Sequence, residues 1–234
     1  MKALFLGEGP LEGSARYLAA VLAWSKIRFD HRPDLSRIPK AWRKQRYDVV
    51  LLSDYRYKAW TPCAREWLTR SVLDGTGLLM IGGWASFTGL VGGYSGSEIE
   101  KLLPVRCVPG DDRRNRQALL TGGKGKPVMV CGYHRARPKP GSRTVLEFRD
   151  LDFRHGAPIL GARHPALVTG RAGKGRTAAF LSDCAPHWAG GLIDWGTRRV
   201  QVPVSRKNIV EVGDRYLHFF RHWIRWTAGA RGTL

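Results

Sequence analysis

The chain has 234 residues, enough for one sizeable α/β domain or two small ones, and 43% hydrophobic content supplies a real core, which argues against disorder of the whole chain. Lys and Arg total 39 against 19 Asp and Glu, a net charge of +20, so the surface attracts polyanions. No apolar run approaches the ~20 residues of a bilayer span, and the N-terminus turns polar at Glu8, so the expectation is a cytoplasmic protein with no membrane association.

In chain order, Lys2–Leu6 reads as a first strand, followed by a helix capped by Ser14 and running to Trp24. Ile27–His31 is a short second strand. Tyr47–Ser53 (YDVVLLS) carries a β-rich apolar run closed by Ser53-Asp54. Thr61-Pro62 opens a helix, with Pro at its first position, that reaches Leu73. Leu78–Ile81 is a fully apolar strand that breaks into Gly82-Gly83 and then Trp84, Ala85, Ser86 and Phe87, as a central parallel strand does where it leaves its sheet. Strand and helix alternate this far, which predicts a parallel sheet with crossover helices.

Ser97–Leu103 is a further short helix. Residues 110–126 are charged, glycine-rich and aperiodic, and predict a mobile basic loop. Val128–Cys131, Thr144–Phe148, Ala166–Thr169 and Thr177–Leu181 are short strands. The last two are joined by Gly170–Arg176, whose GRAGKGR lacks the Walker spacing and reads as a hairpin turn. Ala189–Asn208 reads as irregular. Asp214–Trp226 is the closing helix, with Leu217, Phe220, Trp223 and Ile224 as its buried stripe.

Ligands of open α/β sheets bind at the carboxyl ends of the strands. Glu8, Asp54, the turn of Gly82, Gly83, Trp84 and Ser86, and the segment holding Asp183, His187 and Trp188 all follow predicted parallel strands. They form the candidate ligand-binding rim. Asp54 is equally readable as a turn cap, and the amides after Gly82 as a hole for a carbonyl or anion. Cys184 and His187, three apart, would form a thiolate pair if the segment turned helically; with Asp183 they are the catalytic candidates. Pro186 interrupts them, and a strand-end cysteine is more often a core residue. His218 and His222 read as packing or surface residues of the closing helix. Cys63, Cys107, Cys131 and Cys184 form no CxxC pair and read as reduced thiols. No spacing supports a metal site or a cofactor.

Basic patches fall at Arg37–Arg46, Arg113–Arg116, Lys124–Lys139 and Arg198–Lys207. No nucleic-acid motif accompanies them, so a dispersed basic surface is the simpler reading, with weak polyanion binding the alternative. Trp60, Trp67, Trp195 and Trp226 would be contact residues if the chain forms a homo-oligomer; packing within the monomer is the simpler use.

FLGE, YDVVLLSD, GLLMIGGWASF, LLPV with a DDR element, GKGRTAAFLSDCAPHW and RHWIRW, in this order, resemble the glutamine amidotransferase-like family, bacterial members of the class I glutamine amidotransferase-like superfamily. The resemblance covers Lys2 to Trp226. It implies a flavodoxin-like three-layer α/β sandwich with a mostly parallel sheet, with an added hairpin region in the C-terminal half, and Gly82–Phe87 in the place of the nucleophile elbow. Active relatives look like G-x-C-x-G at that elbow and His-x-Glu late in the chain. Here Trp84 lies at or near the cysteine position, and Ser182-Asp183 ends the late strand. The resemblance therefore implies the fold without the Cys-His-Glu triad. A hydrolase using Cys184, His187 or Asp183 is the alternative.

Overall fold

The computed structural model describes residues 1–123, 126–206 and 208–230. Lys124, Gly125 and Lys207, which fall within the basic segments named above, lie outside the described residues. Fifteen strands and five helices are described. Strands β1 (Lys2–Gly7), β2 (Arg28–Arg32), β3 (Val49–Ser53) and β4 (Gly77–Ile81) alternate with helices α1 (Arg16–Trp24) and α2 (Pro62–Leu73). Helix α3 (Glu98–Leu102) precedes strands β5 (Val105–Cys107), β6 (Arg113–Arg114), β7 (Ala118–Thr121), β8 (Val128–Val130), β9 (Tyr133–His134) and β10 (Ala136–Pro138). Two long strands follow, β11 (Arg143–Arg154) and β12 (Ala157–Ala172), then β13 (Gly175–Phe180), α4 (Pro186–Ala189), β14 (Arg199–Ser205), β15 (Asn208–Gly213) and α5 (Asp214–Thr227).

One nine-stranded sheet runs β2-β1-β3-β4-β13-β12-β11-β7-β8. Its first five strands are parallel and the remaining pairings antiparallel. Every residue of β3 and β4 is buried, as strands covered on both faces require. The β1-to-β2 and β3-to-β4 connections step in opposite directions along the sheet. Right-handed crossovers therefore put α1 and α2 on opposite faces. Helix α1 packs with α5, and α2 with α3, giving three layers. On α5, Tyr216, Leu217, Phe220, Ile224 and Thr227 are buried, while Trp223 is only half-buried.

Several elements depart from the sequence reading. Ser14 does not cap α1; its hydroxyl accepts the Gly9 N–H at 3.2 Å, tying down the turn after β1. Thr61 does cap α2, accepting the Ala64 N–H. Residues 110–126, expected as a loop, contain β6 and β7, and β7 joins the main sheet beside β11. Its four residues Ala118–Thr121 alternate buried and half-buried, a short β signal hidden among arginines. Ala189–Asn208, expected as irregular, contains the whole first strand of the β14–β15 hairpin, whose outward residues are polar or exposed. The turn at Gly173-Lys174 joins β12 to β13 as a hairpin.

Candidate functional site

The sheet reverses its winding between β1 and β3: one connection leaves each way. Such a switch point opens a crevice at the carboxyl ends. Glu8 follows β1 and Asp54 follows β3, both in the left-handed region at φ 59° and 53°. Non-glycine residues held there are strained, and such strain gathers at functional sites.

The turn after β4 is built around two glycines. A Cβ on Gly83 (φ 145°) would lie 2.3 Å from the Asp54 carboxylate, and one on Gly82 would lie 2.9 Å from the His134 ring. Both contacts forbid a side chain. The close approach lets Asp54 Oδ1 accept the Ala85 N–H at 2.7 Å, and the Trp84 amide also bonds its carboxylate. In return the Asp54 N–H donates to Ser86 Oγ at 2.9 Å. The amides expected to form an anion hole are therefore filled by the protein's own carboxylate. Asp54 is both the cap of the turn and a member of the rim, and Ser86 is a buried structural partner rather than an exposed nucleophile.

Behind the turn lies a pair that the sequence reading did not single out. His134 and Asp112 are both fully buried, with Nδ1 3.0 Å from Asp112 Oδ1. Asp112 Oδ1 also accepts the Gly89 N–H at 2.6 Å. His134 Nε2 lies 2.7 Å from the Gly83 carbonyl oxygen. The Gly83 N–H also lies 3.3 Å from Nε2, so the ring meets both backbone groups of Gly83 on one side and Asp112 on the other, and ties the turn to β9. The ring is wedged between Phe87 and Trp188, at 5.0 and 5.1 Å. The DDR element was the only signal for Asp112; a lone histidine gave none for His134.

On the β1 side of the turn, Glu8, Asp54 and Asp183 converge in a largely buried cluster. Ser53 Oγ donates to Glu8 Oε1 at 2.7 Å, and the Cys184 thiol lies 3.8 Å from the same oxygen. Asp183 Oδ1 accepts the Ala185 N–H at 2.9 Å, at the start of α4. Ligand atoms of Glu8, Asp183 and Cys184 all fall within 4.8 Å of one another. Among the described residues no Lys, Arg or His makes an ion pair with Glu8, Asp54 or Asp183. Burial first, and repulsion from Asp54 second, push Glu8 up to about 7. Burial raises Asp54 as well, and burial with the neighbouring Glu8 and Asp54 charges raises Asp183 well above the usual carboxylate range.

Trp84 forms the outer wall. It is 40% exposed, with the Arg113 guanidinium 4.7 Å over its ring and the exposed His187 ring 5.0 Å away. Arg113, held by Asp111, was read from sequence as part of a basic patch and not as a residue of the rim. Trp188, expected in a pocket wall, is instead core: it is 1% exposed, packs on Gly132 and donates Nε1–H to Asn115 Oδ1 at 2.9 Å.

Cys184 and His187 do not pair. Cys184 is fully buried and its thiol is pushed up by burial and by Glu8, while His187 turns out to Trp84. A thiol so placed is not a thiolate nucleophile. His218 packs edge-on to Trp24 and His222 to Trp223. Trp60 is buried and donates Nε1–H to the Tyr94 hydroxyl, which removes it from any contact surface. All four cysteines are free.

No helix among the described residues is long and apolar enough to cross a membrane. No curated protein matches the chain. Among solved structures, the cytoplasmic protein STM1381 of Salmonella typhimurium LT2 superposes with a TM-score of 0.73 at 24% identity, covering 97% of this chain and 99% of that one. The cytoplasmic protein STM3548 of Salmonella typhimurium gives 0.67 at 25% identity over 81% and 91%. A ThuA-like protein of Parabacteroides merdae ATCC 43184 gives 0.62 at 12% identity over 100% and 92%, a likeness of fold. Residues 12–200 match the family described as "Putative glutamine amidotransferase", and the chain belongs to that family.

Proposed function

We propose that the chain binds a small ligand at this rim and does not hydrolyse glutamine. One observation carries the reading: the elbow presents Trp84 and no thiol, and its amides are filled by Asp54. Amide hydrolysis through a thioester needs a nucleophile and an anion hole in one place. Here the rim's thiol, Cys184, is enclosed beside Glu8. The floor is rich in acceptors and has no counter-cation among the described residues, so it favours a ligand with hydroxyl or protonated-amine donors. Trp84 supplies an apolar wall beside it.

The test is ammonia release from glutamine by the wild type and by His187→Ala and Cys184→Ala variants. The expected result is background release from all three. Glutamine-dependent release by the wild type that disappears in either variant overturns the reading.

A further inference from the structure

We infer that the connection from β2 to β3 is a docking strap for the phosphate backbone of double-stranded nucleic acid, independent of the rim. In a parallel α/β unit this crossover is normally a helix. Here it is an irregular segment with a single 3-10 turn at Trp42–Lys44. Between Ser36 and Tyr47 it carries Arg37, Lys40, Arg43, Lys44 and Arg46 and no acidic residue.

The segment is pinned to the protein by its uncharged parts. Ile38 is buried, the Tyr55 hydroxyl donates to the Ser36 carbonyl at 2.6 Å, and Lys2 Nζ donates to Gln45 Oε1. Its cations are left outward: Arg37, Lys40, Lys44 and Arg46 are exposed and Arg43 half-buried. None of the five forms an ion pair among the described residues. The acids nearest in sequence are already engaged. Asp30 holds Lys2 and the Tyr47 hydroxyl, Asp34 holds Arg56, and Asp48 accepts the Lys2 backbone N–H. Five unneutralised cations on one anchored strip, in a chain of net charge +20, complement a polyanion.

The form of the polyanion follows from what accompanies the charge. Trp42 has the Arg32 guanidinium 5.1 Å over its ring, so it offers no free platform on which an unpaired base would stack. The 3-10 turn Trp42–Lys44 buries no residue and the strap has no amphipathic helix to enter a membrane. Contacts to backbone phosphates, without base readout, remain.

The experiment is fluorescence anisotropy of a labelled DNA duplex of about 20 base pairs, titrated from about 50 to 200 mM salt. Wild type is compared with a variant carrying Arg37, Lys40, Arg43, Lys44 and Arg46 all as Gln. A second variant removes the same number of charges elsewhere, at Arg106, Arg137, Arg171, Lys174 and Arg225. Each neutralised phosphate contributes about −0.9 to the slope of log affinity against log salt, so the strap variant should lose about 4 to 5 from that slope. The second variant should keep nearly all of it, and thermal unfolding of both variants reports that they fold. Equal slopes in the two variants, or no wild-type binding at the lowest salt, overturn the inference. Binding to anionic vesicles but not to the duplex does so too.

Discussion

Replacing Glu8 by Gln is expected to stabilise the protein by about 3 kcal/mol at pH 8. Glu8 is 6% exposed, and its carboxyl is raised from 4.5 to about 7, chiefly by burial and then by Asp54. A group whose folded pKa lies above its unfolded value favours the fold while protonated. That contribution is complete below pH 4.5, declines between 4.5 and about 7, and is gone above. A shift of this size corresponds to about 3 kcal/mol. Gln carries no charge to bury, and its amide oxygen still accepts from Ser53. Denaturant unfolding of wild type and Glu8→Gln from pH 4 to pH 8 checks this. The wild type should weaken as pH rises through that window, and the variant should weaken much less. Asp54 and Asp183 shift in the same direction, so a residual slope persists. Equal stability at pH 8 would mean that Glu8 is ionised and compensated in the fold. A ligand that supplies a cation or a strong donor should recover part of the loss at pH 8, because it replaces the missing partner.

His134→Ala is expected to cost about 3–5 kcal/mol, the scale of removing a fully buried ring and leaving its hydrogen-bond partners unsatisfied. The substitution removes a ring enclosed by Phe87 and Trp188 and strands the buried Asp112 carboxylate, whose Oδ2 already has no hydrogen-bond partner. It also frees the Gly83 carbonyl, and with it the turn that carries Trp84. The double variant with Asp112→Ala should cost clearly less than the two single costs added, since the buried carboxyl left without its partner is gone. Chemical denaturation of the four proteins of this cycle measures the coupling. Additive costs would show that His134 acts by packing alone.

Strands β3 and β4 were legible because fully buried parallel strands are continuous apolar runs, and the rim followed from where those runs end. Glu8, Asp54 and Asp183 do converge there. The function of the turn's amides was not legible. Whether they are open or filled depends on Asp54, about thirty residues away, reaching across a gap that only Gly83 permits. Trp188 illustrates a real ambiguity, since an aromatic at a strand end serves a pocket wall or a core equally well. Its placement against Gly132 settles it as core. His134 and Asp112 were hidden because their partners are distant in sequence, and Asp112 sits in a run of arginines that reads as loop. The added hairpin of the C-terminal half was expected, but strand β14 reads as irregular because Val202 alone among its seven residues is buried.

The turn after β4 carries Trp84 and no thiol, and its proposed loss of glutamine chemistry is open to a direct chemical test. Intact-mass spectrometry after incubation with a chloroketone analogue of glutamine tests it most directly. An elbow without a reachable thiolate predicts no adduct on Cys184 and only slow, non-saturating labelling at the exposed Cys63. A stoichiometric adduct on Cys184 that forms with saturation kinetics and is prevented by glutamine would contradict it.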